Sequence, residues 1–146
     1  MSKPYALIIE DDPRLGLIYD TVLKQTGFQT EIIQRGDEAL KRLPEVSPDL
    51  ILLDVHLPYL SGADLLKYIR ADDWLAKTPV IVLTADLYMA QTLEDLADHV
   101  LVKSLGVSQL RNLVTQVRIA YESAEAADND TGNNANTSST GSAKAT

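Results

Sequence analysis

The sequence predicts an α/β fold, a three-layer, doubly wound parallel sheet of five strands. The first observation is order: short Val, Ile and Leu runs alternate five times with segments of helical period. The second is that the first, third and fourth runs are continuously apolar instead of alternating, as in strands covered on both faces. The third is chemical. These runs end in Glu10-Asp11-Asp12, Asp54, Thr84 and Lys103, so strand ends deliver acids, a hydroxyl and an ammonium to one sheet edge. Right-handed crossovers turn a βαβαβαβαβα order into three layers, and ligands of open α/β sheets bind at the carboxyl ends of the strands.

The first strand is predicted over Tyr5–Ile9. A helix follows, with Asp12 as N-cap, Pro13 at its first position, and Leu15, Ile18, Val22 and Leu23 as the inward stripe. Gly27 supplies the stop. The second strand is Gln29–Ile33 and the second helix Asp37–Leu43, ended by Pro44. The third strand is Asp49–Leu53; Asp54 follows it, and Pro58 and Gly62 force a loop. The third helix is Ala63–Arg70, with Leu65, Leu66 and Ile69 on one side. The fourth strand, Pro79–Leu83, leads through Asp86 as a cap into a helix at Leu87–Ala97. The fifth strand is His99–Val102. The last helix begins after Ser108 and carries Leu110, Leu113, Val114, Val117 and Tyr121 at helical spacing.

A chain of 146 residues with 45% hydrophobic content is read as one folded domain, residues 1–122. From Ser123 to 146 the composition turns to Ala, Asn, Thr, Ser, Gly and Asp without a large apolar residue, which predicts a disordered, low-complexity tail. The formal net charge is −8, of which the tail carries −2, leaving −6 on residues 1–122. Such an acidic domain is not expected to bind a nucleic-acid backbone. The absence of cysteine excludes disulfides and thiolate metal sites. No stretch approaches a membrane span or a signal-peptide core, and a cytoplasmic protein is expected.

Glu10 and Asp11 are adjacent carboxylates whose repulsion a hard divalent cation such as Mg²⁺ relieves, with Asp54 completing an acidic cup. The competing reading is that such acids open or cap helices, and for Asp12 that reading is preferred. Asp54 is the candidate nucleophile, because a carboxylate can attack phosphorus to give an acyl phosphate. The Thr84 hydroxyl can donate to a phosphoryl oxygen, and the Lys103 ammonium can balance phosphoryl charge. Each signal is weak alone. Their joint occurrence at four strand ends is specific.

Over residues 4–122 the chain resembles a receiver domain of the two-component response regulator family, in its single-domain, chemotaxis-type form. The matching segments are Ile8-Ile9-Glu10-Asp11-Asp12-Pro13, Asp49 through Pro58 with Gly62, Pro79 through Ala85, and Val102-Lys103, with Leu105 and Leu110 in keeping. The resemblance implies a flavodoxin-like strand order, 2-1-3-4-5. It implies that Asp54 accepts a phosphoryl group from a sensor histidine kinase or phosphotransfer protein. Glu10, Asp11, Asp54 and the backbone carbonyl of His56 would surround Mg²⁺, while Thr84 and Lys103 bind phosphoryl oxygens. No other cofactor is expected. The output would be a downstream protein reading the face of the fourth helix, fifth strand and fifth helix, and a homodimer is a further assembly left open. Such a protein signals; it is not an enzyme beyond self-catalysed phosphoryl transfer and autodephosphorylation.

Two positions depart from the family pattern. Val100 stands where the family usually has an aromatic ring, and Ser104 where it has a cis proline. A cis bond before a non-proline residue costs about 2.5–4 kcal/mol, which predicts a trans bond and a rearranged loop able to displace Lys103. His56 and Asp86 lie two residues after Asp54 and Thr84, along the route of a hydrolytic water; for Asp86, helix capping is preferred. These departures keep open a pseudo-receiver that docks partners without phosphorylation. A haloacid-dehalogenase-type phosphatase is disfavoured by His56 where a second Asp is needed. Flavin binding is disfavoured by acids where a phosphate would sit.

Overall fold

The computed structural model describes residues 3–103 and 106–143, with side chains through 128. Five parallel strands form one sheet in the order β2-β1-β3-β4-β5: β1 Tyr5–Ile9, β2 Gln29–Ile33, β3 Leu50–Asp54, β4 Val80–Thr84 and β5 His99–Val102. The helices are α1 Pro13–Gln25, α2 Gly36–Arg42, α3 Gly62–Ala71, α4 Leu87–Leu93 and α5 Val107–Ala143. This is the flavodoxin-like, three-layer arrangement expected from the sequence.

The continuous apolar runs serve two cores. Leu7, Ile9, Ile51, Leu53, Val80 and Val82 face a cluster that includes Leu65, Leu66 and Ile69 of α3. Their sequence neighbours Ala6, Ile8, Leu50, Leu52, Ile81 and Leu83 face the other side, against Val22 and Leu23 of α1 and Leu110 and Val114 of α5. Period-two alternation thus divides one run between two layers. Burying such side chains stabilises by about 1.5–3 kcal/mol each.

The strand ends differ slightly from expectation, and the difference matters for the site. Asp54 pairs with Leu83, and Thr84 with Val102, inside the ladders. Both are therefore the last residues of their strands, held by main-chain hydrogen bonds.

In α1 the buried positions are Gly16, Tyr19, Asp20, Val22 and Leu23. Ile18, expected inward, is 40% exposed. The stripe is turned by one residue, and Tyr19 takes the inward place. The second helix starts one residue early, at Gly36, and Leu43–Glu45 form a 3₁₀ turn carrying Pro44. The fourth helix stops at Leu93, short of the expected Ala97. Leu96 and Ala97 both donate backbone N–H to Leu93 O, while the Arg70 guanidinium holds Leu96 O and Asp98. The chain is drawn off the helix axis towards β5.

The last helix also differs. Its backbone is helical to Ala143, across residues 123–143 where the sequence predicts disorder. Tyr121 donates to Glu125 one turn on, and Ala124, Ala126 and Ala127 favour the helix. Beyond residue 128 the sequence offers no large apolar residue to pack on anything, and isolated polar helices are marginal in water. We therefore keep the folded unit at residues 1–122 as a proposal. Removing residues 129–146 is expected to move the thermal midpoint by less than about 2 °C; a larger fall in calorimetry would show that the extension is part of the folded unit.

Candidate functional site

Glu10 extends the β1 chain just past Ile9, and its backbone N–H donates to Ile33 O of β2 at 3.0 Å. That bond fixes the acid at the sheet edge. Asp12 then caps α1, accepting from Arg14 N at 2.8 Å, as expected. Glu10 and Asp54 are each 1% exposed and Thr84 is fully buried; Asp11 is exposed. Carboxylate oxygens of Glu10, Asp11 and Asp54 lie within 4.8 Å of one another. Three convergent carboxylates with a solvent-facing member suit a hard, oxygen-seeking divalent cation.

Lys103 closes the hollow from β5. Its Nζ lies 3.0 Å from Glu10 Oε1 and 3.1 Å from Asp54 Oδ2. Sequence separates Lys103 from Glu10 by 93 positions; the parallel sheet brings them together. Ser104 and Leu105 lie outside the described residues, and with them the expected trans bond. The Lys103 ammonium reaches both acids.

Electrostatics in the hollow follow from burial. Desolvation, helped by a hydrogen bond with Asp54, pushes the Glu10 carboxyl up to about 8, against the opposing pull of Lys103. For Lys103, burial alone would lower the ammonium, but the hydrogen bond to Glu10 and the charges of Asp54 and Glu10 outweigh it, and the net shift is upward. One half-buried cation thus faces two buried acids, an arrangement that favours keeping a proton on Glu10.

The loop after β3 is shaped by its backbone. His56 N donates to Asp54 Oδ1 at 3.1 Å, orienting the carboxylate, while the His56 side chain is exposed. Gly62 N donates to Val55 O at 2.8 Å, and a Cβ at Gly62 would collide with the Asp54 carbonyl. Only glycine lets the loop fold back onto the strand end.

The Thr84 hydroxyl accepts from Asp86 N at 3.0 Å. The Asp86 carboxylate in turn accepts from Tyr88 N and Met89 N at 2.9 and 3.3 Å. Asp86 is therefore the N-cap of α4, as preferred from the sequence.

Two features escaped the sequence. Tyr19, buried at 6% exposure, brings a phenol to the edge of the hollow, where burial and the Glu10 charge raise it to about 12. A helical stripe through Gly16, Tyr19 and Leu23 was the available signal. The other is a clamp between loops: Arg35 lies 3.9 Å over the Tyr59 ring, Gly36 N donates to Pro58 O, and Tyr59 holds φ 71°. Nothing in the local pattern marks that approach.

A family model for the response regulator receiver domain matches residues 6–115. Among curated proteins, the chain is 40% identical over 79 residues to the DNA-binding response regulator MtrA of Mycolicibacterium smegmatis, covering 54% of this chain and 33% of that one. It is 34% identical over 110 residues to the phosphate regulon transcriptional regulatory protein PhoB of Rhizobium meliloti, covering 73% and 48%. The chain thus spans about a third to a half of those relatives' lengths. Among solved structures, the receiver domain of the Francisella response regulator 1452 is similar at 28% identity and TM-score 0.72, covering 81% of this chain and 98% of that one. The Mn(2+)-bound form of response regulator Rcp1 is similar at 26% identity and TM-score 0.68, covering 80% and 91%.

Proposed function

This chain belongs to the response regulator receiver domain family, and from that premise we propose that Asp54 accepts a phosphoryl group from the phosphohistidine of a sensor histidine kinase or a phosphotransfer protein. The observation that carries the reading is the bridge of Lys103 Nζ to both Asp54 and Glu10. In transfer, a new O–P bond forms at the Asp54 carboxylate, the donor N–P bond breaks, and its electron pair leaves with the imidazole. Glu10, Asp11 and Asp54 fit a divalent cation by chemistry and spacing, and the His56 carbonyl is a further candidate ligand. Bound Mg²⁺ would supply charge neutralisation for the phosphoryl oxygens. Lys103 supplies a second positive charge from the opposite strand.

The hydrogen bond from His56 N holds the Asp54 carboxylate in place before the donor arrives. The Thr84 hydroxyl accepts from Asp86 N with one lone pair and keeps its single donor hydrogen for a phosphoryl oxygen. Movement of that hydroxyl pulls on the residue that caps α4. This chain of contacts links Asp54 to the face of α4, β5 and α5, where a downstream protein is proposed to read the signal.

Moving such a switch from 1:99 to 99:1 takes about 5.5 kcal/mol of differential stabilisation. The Thr84 hydrogen bond contributes about 0.5–1.5 kcal/mol. Charge-assisted contacts must supply most of the rest. The protein is a signalling protein; slow autodephosphorylation is proposed, with Asp86 engaged as a cap and not as the water's orienter. An acidic domain favours protein partners over nucleic acid, and the DNA-binding function named for MtrA is not carried over. Among the described residues no helix is long and apolar enough to cross a membrane.

One feature favours the docking-only alternative: Val100 replaces the family's aromatic ring. Incubation with acetyl phosphate and Mg²⁺ separates the two readings. Intact mass is expected to rise by one phosphoryl group in the native chain and to stay constant in Asp54→Asn. A folded native chain that gains nothing from any donor would make the docking module the better account.

A further inference from the structure

The ring missing at position 100 has a counterpart on the other side of the hollow. Val100 packs on the layer that includes α3. Tyr19 of α1 lies in the opposite layer, among Ile8, Leu52, Leu83, Leu101 and Leu110. It is more than nine-tenths buried, but its hydroxyl oxygen keeps contact with solvent, since no fully buried side-chain oxygen or nitrogen among the described residues lacks a hydrogen-bond partner.

Tyr19 and Lys103 line one cavity of about 70 Å³, shared with Ile18, Leu101, Val102 and Val107. That is about two water volumes at ~30 Å³ each, but the walls are chiefly apolar and offer water few partners. The cavity is partly open to the surface, where the exposed Ile18 and Val107 line it beside Tyr19. The void is too small for a whole ring. It is large enough for a ring to shift into.

We propose that Tyr19 is the aromatic group that reports the state of Asp54 in this chain, its ring shifting into the cavity it shares with Lys103. The inference rests on the phosphoacceptor reading and adds to it a second output route. In the resting hollow Lys103 is divided between Glu10 and Asp54. A phosphoryl group on Asp54 draws the ammonium to its own oxygens and away from Glu10. The Lys103 stem is a wall of the cavity, so the space open to Tyr19 changes. Ile18 and Val107 share that cavity and are 40% and 41% exposed. The ring's shift therefore reaches the surface where α1 meets the start of α5, on the opposite layer from Val100.

Methyl NMR of Ile18 and Val107, with and without beryllofluoride and Mg²⁺, tests this in the native chain, Tyr19→Phe and Tyr19→Leu. Phenylalanine keeps the ring; leucine keeps apolar burial without it. Large shifts on adduct formation are expected in the native chain and Tyr19→Phe, with at least a threefold smaller response in Tyr19→Leu. A thermal scan of each variant confirms folding. An adduct that moves the Ile18 and Val107 methyls equally in native and Tyr19→Leu overturns the proposal, as does a native response confined to Leu87, Met89 and Val100. Failure of the native chain to form any adduct, judged by fluorine NMR against Asp54→Asn, would instead strike the phosphoacceptor reading itself.

Discussion

Replacing Lys103 with alanine is expected to slow phosphorylation of Asp54 by acetyl phosphate at least 100-fold at saturating Mg²⁺. The reason is geometric: Lys103 Nζ stands 3.1 Å from the Asp54 carboxylate, where phosphoryl oxygens would develop charge. A fixed donor aimed at developing charge in a dry site is worth about 10²–10³ in rate. Arginine is not expected to restore it, because a planar fork does not fit a seat occupied by a point charge. The change also leaves two buried acids without their cation. Losing one partner of a buried pair costs about 3–5 kcal/mol when the remaining charge cannot adapt. Here it can adapt, since burial already pushes the Glu10 carboxyl up to about 8 and it takes up a proton more readily once the ammonium is gone. Alanine should therefore leave the domain folded while disabling it. Time courses by intact mass, with circular dichroism on the same sample, check both halves. A rate within threefold of the native one would show that Lys103 is a structural counter-ion only.

Much of this site was legible because a parallel sheet converts one-dimensional punctuation into a two-dimensional edge. Each of β1, β3, β4 and β5 is a short apolar run, and the residue that breaks the run must sit at the strand's carboxyl end. Glu10, Asp54, Thr84 and Lys103 could be placed together on that rule alone. The rule does not give distance, so the shared ammonium between Glu10 and Asp54 became visible only in the structure. The helix stripe is ambiguous in spacing alone. Leu15, Ile18, Val22 and Leu23 satisfy helical spacing nearly as well as Gly16, Tyr19, Val22 and Leu23, and hydropathy alone prefers isoleucine to tyrosine. Packing chose the second set. The close approach of Gly36 to Leu60 and the Arg35–Tyr59 stack are long-range events with no local period to reveal them. The last helix shows the converse: composition beyond Ser123 speaks only of missing apolar anchors, while backbone continuity carries the helix on to Ala143.

Stability without divalent metal is expected to fall as pH rises from about 4.5 to about 8, and Mg²⁺ is expected to abolish that fall. The sign follows from Glu10. Its folded-state value, about 8, lies above the ordinary value of 4.5, so between those limits the native state holds a proton that the unfolded chain has released. The contribution is fully present below pH 4.5 and is lost as pH climbs through 8, because stability declines with pH wherever the native state binds more protons. Physically, an ionised Glu10 must share one ammonium with Asp54 while both carboxylates are almost fully buried. Binding of a divalent cation requires the deprotonated carboxylate, so the proton leaves as the metal enters. Two measurements follow. Urea midpoints in chelator should drop between pH 6 and 8.5, and those in Mg²⁺ should not. Calorimetric titration at pH 7 in buffers of different ionisation enthalpy should register proton release on Mg²⁺ binding, and the release should vanish in Glu10→Gln. A native chain that binds Mg²⁺ without releasing any proton would mean Glu10 is already ionised beside Lys103, and the trio would then have to be read as two buried anions permanently shared by one half-buried cation.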